Sequence, residues 1–269
     1  MTGQVGVDGD RPVQLRVEGR VATVTLNRPD RLNAMNTELV DALLETLREV
    51  AGRSDIRSVV LTGAGRGFCA GGDVNALAGG SGPATDSFEA RAREIMEIDE
   101  LLHGMPKAVV AAVNGPCAGA GLSMAAACDL RYAAESAVFA TAFLRVGVTG
   151  DHGGIWSVTR AVGPAKAREL FLLGERFDAH EAERFGLVHG VVPDRQLAAH
   201  VASVAQKLAK ASPAAMRGMK ANLNDAEVLP FAEYLDRETQ RFLAVSGSPD
   251  AVEAARAFVE KRDPVFAED

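Results

Sequence analysis

Residues Ala108–Cys128 read AVVAAVNGPCAGAGLSMAAAC, and the fold turns on how they are parsed. The stretch carries no charged residue and is about as long as the ~20 residues that cross a bilayer. Its centre, NGPCAGAG, concentrates Asn, Pro and three Gly where a spanning helix has to be continuous. The better parse is a buried strand, a glycine loop and a buried helix. No membrane partner is therefore expected.

The same unit recurs nearby. RSVVLTG (57–63) is a short buried strand that enters a second glycine loop, GAGRGFCAGGD (63–73), with a helix expected from Asp73. VQLRVEGRVATVTLN (13–27) alternates around a Glu-Gly-Arg turn and predicts a β-hairpin. NTELVDALLETLREVAG (36–52) has apolar residues at helical spacing, an Asn-Thr start and a Gly stop. Phe88–Leu102 reads as a further helix, and LRYAAES and AVFATAF as two short strands. Beyond Gly163 the chain is mostly helical, broken by a last strand in GLVHGVVPD. These elements predict an α/β fold: a core of repeated ββα turns over residues 1–194 and a helical C-terminal region over 195–269.

Of the 269 residues, 47% are hydrophobic and 24% charged, enough apolar content for a sizeable core. The net charge of −7 argues against a nucleic-acid partner, because phosphate binding needs clustered Lys and Arg. Cys69, Cys117 and Cys128 are few, odd in number and without metal-ligand spacing. No metal is expected, and a reducing, cytoplasmic setting is. The opening MTGQVGVDGDRPV has acids and no apolar core, unlike a signal peptide.

A strand running through glycines into a helix presents free N–H groups and the positive end of a helix dipole. One ligand for such a loop is a dinucleotide phosphate. GAGRGF (63–68) and GAGLSM (119–124) both fall short of G-x-G-x-x-G, and neither a P-loop G-K-[ST] nor a G-x-S-x-G nucleophile elbow occurs. The other ligand is a carbonyl oxygen gaining negative charge, for which two converging N–H donors make an oxyanion hole.

Six motifs then occur in order: NRPDRLNAMN (27–36), RGFCAGGD (66–73), AAVNGPCAGAG (111–121), CDLRYA (128–133), GPAKARELFLLGERFDAHEAERFGLVHGVV (163–192) and AFVEKRDPVF (257–266). Together they resemble the enoyl-CoA hydratase/isomerase, or crotonase, superfamily over nearly the whole chain. The resemblance implies a spiral of ββα turns, C-terminal helices that build a homotrimer or a dimer of trimers, and an acyl-CoA thioester as substrate. It implies no cofactor beyond the coenzyme A that arrives within that substrate. On matching positions it assigns the oxyanion donors to the N–H groups of Ala70 and Ala120. It places Arg28, Arg31, Leu32 and Ala34 along CoA, together with Phe68, Gly71, Gly72 and Asp73 of the first glycine loop. Phe258 and Lys261 match residues that reach CoA from a neighbouring subunit. For Arg28 and Arg31 a solvated turn is the alternative, and for Phe258 simple packing.

The departures from the family are as informative. Hydratases of this family hold a water between two glutamates, and those positions are Ser123 and Phe143 here. Adding water needs one group to activate it and another to move a proton, so a simple hydratase is disfavoured. In VGVTGDHGG (146–154), Asp151 matches a third acid, the one that double-bond isomerases of the superfamily use. A carboxylate enclosed by Phe143 and Trp156 should have a raised pKa. Its structural alternative is the N-cap of a helix beginning near Gly153. His152 reads as a rim or packing residue, since no carboxylate beyond Asp151 is evidently placed to orient it. Glu94, Glu97 and Glu100 read as a solvated face that could yet lend a second acid. LAGGSGPATDS (77–87) is expected to border the acyl pocket. The sequence thus favours isomerisation of an enoyl-CoA with Asp151 as proton carrier. The alternatives are a hydratase or hydrolase using Asp151 and water, or a non-catalytic acyl-CoA-binding protein.

Overall fold

The computed structural model describes residues 11–73 and 86–266. The helix expected from Asp73 and most of the Gly/Ser-rich segment at 77–87 therefore lie outside the described residues, as does the start of the N-terminal stretch. Strands β1 (Val13–Glu18) and β2 (Val21–Leu26) form the expected hairpin, paired antiparallel from Val13 with Leu26 to Glu18 with Val21. Helix α1 (Thr37–Gly52) follows, its N-terminus capped by the Asn36 side chain, which accepts from the Leu39 N–H. Leu39, Leu43, Leu47 and Val50 recur at helical spacing and are all buried, so this face drives α1 onto the sheet.

Strand β3 (Ser58–Gly63) pairs parallel with β2, Val59 opposite Ala22, and enters the first glycine loop. Helix α2 (Asp86–Gly104) then leads to β4 (Ala108–Val113), which pairs parallel with β3. The uncharged stretch resolves as the strand–loop–helix parse requires: β4, the two-residue strand β5 (Cys117–Ala118) and helix α3 (Ala120–Ala127). All six residues of β4 are buried. No helix among the described residues is long and apolar enough to cross a membrane.

Strands β6 (Leu130–Ala134) and β7 (Val138–Ala140) are shorter than AVFATAF suggested. Ala142 takes a left-handed φ of 60°, which ends the extended run, and Phe143–Val146 forms a 3-10 turn. Helices α4 (Gly154–Val162) and α5 (Pro164–Leu173), strand β8 (Phe177–Asp178), helix α6 (Ala179–Arg184) and strand β9 (Gly190–Val192) complete this part. The main sheet has the order β1-β2-β3-β4-β6-β9, and β5-β7-β8 form a small second sheet beside it.

Four helices end the chain: α7 (Asp194–Ala209), α8 (Pro213–Ala226), α9 (Phe231–Ser246) and α10 (Pro249–Glu260). Leu197, Val201 and Ala205 of α7 bury against Val60, Val110, Ala112 and Ala134 of the sheet. The 195 boundary thus falls at the start of a helix that covers the sheet. Lys220 of α8 is buried and donates to the Leu102 and Lys107 carbonyls and to Asp129 at 2.8 Å, fastening α8 to the core. By contrast, α9 and α10 expose Phe231, Phe242, Leu243, Phe258 and Val259.

Candidate active site

The two glycine loops meet edge to edge. Cys69 and Cys117 form an isolated parallel bridge, and the Ala118 N–H donates to the Cys69 carbonyl at 2.9 Å. Glycine is required where the loops are closest. A Cβ on Gly121 would lie 2.3 Å from the Cys69 oxygen, and one on Gly71, whose φ is +93°, would lie 2.9 Å from the Ala118 oxygen. Ala120 opens α3, so its N–H belongs to the first turn, where no intrahelical partner exists. The position above Gly71 lies 3.5 Å from that nitrogen.

The other expected donor is corrected. The Ala70 N–H donates to the Leu32 carbonyl at 3.0 Å and is not free to bind a ligand. Gly72 sits in a parallel bridge with Met35 whose two hydrogen bonds use the Gly71 carbonyl and the Asp73 N–H. The Gly72 N–H itself has no partner among the described residues, and Gly72 is exposed. Among the described residues of these loops, Gly72 and Ala120 therefore offer N–H groups without a partner.

Asparagines knit this arrangement from behind, and the sequence reading missed them. Asn33 is fully buried with a left-handed φ of 58°. Its Nδ2 donates to the Ala64, Gly67 and Phe68 carbonyls at 3.0, 2.8 and 3.1 Å, and its Oδ1 accepts from the Arg28 N–H at 2.8 Å. Asn114 binds the Gly63, Gly65 and Gly67 carbonyls in the same way. The signal was present in NRPDRLN, since Asn tolerates left-handed backbone. Asn33→Ala is expected to destabilise the fold by about 2–4 kcal/mol, since it leaves buried carbonyls unpaired. Urea unfolding measures this, and a loss under 1 kcal/mol would show that the loops hold without it.

Asp151 is not a helix cap. The N-cap of α4 is Gly153, with no side-chain cap bond. The Asp151 carbonyl accepts from the Gly154 N–H at 3.0 Å and from the Ser123 hydroxyl at 3.3 Å, while no hydrogen bond among the described residues reaches its carboxylate. The residue is exposed, yet enough protein surrounds the carboxyl to push its pKa upward, opposed by the charge of His152. Ser123 is 1% exposed, and its hydroxyl lies 3.3 Å from the Gly119 and Asp151 carbonyls alike, so it fastens the Asp151 turn to α3. Phe143 is buried, and its ring comes within 3.8 Å of positions above Gly119 and Gly150, between the second glycine loop and the Asp151 turn. Trp156 is corrected as a wall of this pocket: it packs edge-on against His103 and under the Arg160 guanidinium, 3.6 Å away.

His152 also departs from its sequence reading. It is 4% exposed, and its Nδ1–H donates to Asp99 Oδ2 at 2.5 Å. Burial opposes the imidazolium, but the hydrogen bond to Asp99 and the carboxylates of Asp99 and Asp151 outweigh it and raise its pKa. Helix α2 does contribute an acid to this region, but it is Asp99. Glu97 makes a two-pronged pair with Arg48 at 2.8 and 2.6 Å, Glu94 pairs with Arg91 at 2.7 Å and Glu100 with Arg93, all on the solvent side.

The residues expected along CoA divide. Arg28 is half-buried and braced against the Ala34 carbonyl and, at 3.5 Å, against Asp73, joining its loop to the first glycine loop. Arg31 is exposed, while Leu32 and Ala34 are half-buried beside it. Phe68 is corrected: it is fully buried in the core and is not available to a ligand. Phe258 is 85% exposed, and Lys261 ends α10 in a left-handed turn.

Residues 16–269 match the model of the enoyl-CoA hydratase/isomerase family. The chain is 39% identical over 251 residues to a 1,2-epoxyphenylacetyl-CoA isomerase of Escherichia coli, covering 93% of this chain and 96% of that one. It is 36% identical to a probable enoyl-CoA hydratase of Rhodobacter capsulatus, covering 94% and 97%. Among solved structures, an enoyl-CoA hydratase from Bacillus anthracis superposes with a TM-score of 0.90 at 30% identity, covering 96% of this chain and all of that one. A protein from Streptomyces coelicolor described as an enoyl-CoA hydratase also gives 0.90, at 33% identity over all of this chain and 98% of its own. With two free N–H donors between its glycine loops, the spiral α/β fold and a family match over nearly its whole length, the chain belongs to the enoyl-CoA hydratase/isomerase family.

Proposed function

We propose that the protein isomerises the double bond of an enoyl-CoA thioester, with Asp151 as the only proton carrier. The Gly72 and Ala120 N–H groups bind the thioester oxygen and stabilise the charge it gains as an enolate forms. The Asp151 carboxylate takes a proton from C2 of a 3-enoyl chain. The C–H electron pair becomes a C1–C2 double bond as the carbonyl π pair moves onto the thioester oxygen. When the carbonyl re-forms, the C1–C2 π pair becomes the C2–C3 double bond and the C3–C4 π pair takes the proton at C4. One carboxylate serves as base and then as acid, and the coenzyme A arrives with the substrate.

The observation that carries this reading is the contrast among three positions. Asp151 has a carboxylate without a hydrogen bond among the described residues, while Ser123 is buried against carbonyl oxygens and Phe143 is apolar. The last two are where a hydratase would hold its water. The exposed apolar residues of α9 and α10 support a homotrimer or dimer of trimers, with Phe258 and Lys261 of one subunit reaching the CoA of another. One relative is named for an isomerase and one for a hydratase, so the assay must separate the two reactions. Incubation of 3-enoyl-CoA and 2-enoyl-CoA in D2O should give deuterium at C2 or C4 of an enoyl product. Faster formation of 3-hydroxyacyl-CoA would replace this reading with hydration.

The pH dependence follows from the same carboxylate. Asp151 must be ionised to begin, and burial raises its folded pKa, so activity falls sooner on acidification than an ordinary Asp would allow. The acid limb of kcat/KM, which reports the free enzyme, should have its midpoint above the ~3.9 of a free Asp side chain. A midpoint at or below that value would assign the limb to another group.

A further inference from the structure

Asp151 stands in a turn where Gly150, His152 and Gly153 all have positive φ, at 112°, 52° and 60°. Glycine adopts such angles freely, whereas a residue with a side chain rarely does. His152 nevertheless occupies the centre of the turn, and its surroundings hold it there. Its Nδ1–H donates to Asp99 at 2.5 Å, its backbone N–H donates to the Met96 sulfur at 3.1 Å, and its ring is almost wholly enclosed. Both anchors come from α2. On the other side of Asp151, the Ser123 hydroxyl and the Gly154 N–H hold the Asp151 carbonyl. The backbone is thus clamped around a carboxylate that makes no hydrogen bond of its own among the described residues.

The charge arrangement is equally specific. Asp99 is buried, and its second oxygen, Oδ1, has no partner among the described residues. Burial pushes the Asp99 pKa up, and the hydrogen bond and charge of His152, the group in contact with it, pull it back down. Apart from Asp99 on α2 and Asp151 on the turn, the Cys128 thiol at the end of α3 also feels Asp99 among the described residues, and burial keeps it neutral, with its pKa pushed up to about 12. His103, one turn further along α2, packs on Trp156 instead.

We propose that Asp99 and His152 are a buried positioning pair for Asp151: the pair fixes the left-handed turn that presents the carboxylate, and it sets a positive charge one residue away. On the reading of Asp151 as proton carrier, the imidazolium keeps that carboxylate ionised until substrate arrives. His152 touches no reacting atom in this scheme and acts through its neighbour.

The test uses Asp99→Asn and His152→Asn. Asn accepts a left-handed backbone and at position 152 can still donate to Asp99, but it carries no charge. Carbon-13 NMR of the Asp carboxyls, with Asp151 assigned through Asp151→Asn, should show its midpoint rising by about 0.5–1 pH unit in His152→Asn, as loss of a nearby positive charge requires. The acid limb of kcat/KM should move with it. In Asp99→Asn, which removes the counter-charge of the imidazolium, nitrogen-15 shifts should show the His152 midpoint falling. In the unsubstituted protein, nitrogen-15 shifts should show His152 doubly protonated at pH 7. A neutral His152 there, or an unmoved Asp151 midpoint in a folded His152→Asn protein, overturns the proposal. Because both NMR readouts are independent of turnover, the two readings fail separately. A fully active Asp151→Asn would reject Asp151 as proton carrier while leaving a moved midpoint intact.

Discussion

Asp151→Asn is expected to slow double-bond isomerisation by about 10²–10⁴-fold, the usual contribution of a positioned acid–base group, with the melting temperature nearly unchanged. The amide keeps the size of the side chain and cannot take a proton. Stability should hold because no hydrogen bond to the carboxylate is lost among the described residues and because α4 is capped by Gly153. For the same reason Asp151→Ala should not incur the roughly 1 kcal/mol that removing a helix cap costs. Steady-state rates on a 3-enoyl-CoA, measured beside thermal unfolding, decide the matter. A folded Asp151→Asn protein with undiminished turnover would end the proposed role.

Gly72→Pro should lower kcat by about 10²–10³-fold, the range seen when one oxyanion donor is removed. The substitution deletes an N–H that has no partner among the described residues, and a Cβ at this position meets no atom within 4 Å. Gly72→Ala is the matched control: it keeps the N–H, adds a methyl into open space and should retain most activity. Equal loss in both variants would mean that crowding, and not the missing donor, was responsible. Ala70→Pro is the poorer probe, because it breaks the bond to the Leu32 carbonyl and so disturbs the loop itself.

Much of this protein could be read along the chain because its signals are local. Helical spacing in Thr37–Gly52 and the glycine break inside Ala108–Cys128 follow from side-chain size and backbone freedom over a few residues, and the structure agrees with both. The resemblance likewise sets Ser123 and Phe143 at the positions where hydratases of the family carry glutamates, a reading that needs no coordinates. What the chain order could not reveal is which polar groups are already taken. Ala70 and Gly72 are alike as sequence, and they separate only because the Leu32 carbonyl crosses over from another loop to accept from Ala70. Helix α2 carries Glu94, Glu97, Asp99 and Glu100 within two turns, and the sequence pointed to the glutamates. Only the packing of α2 turns Asp99 inward to meet His152, 53 residues away, while Arg48, Arg91 and Arg93 hold the others at the surface. A hydrogen bond has a reach of about 3 Å, so partners distant in sequence are chosen by the tertiary fold and by nothing shorter in range.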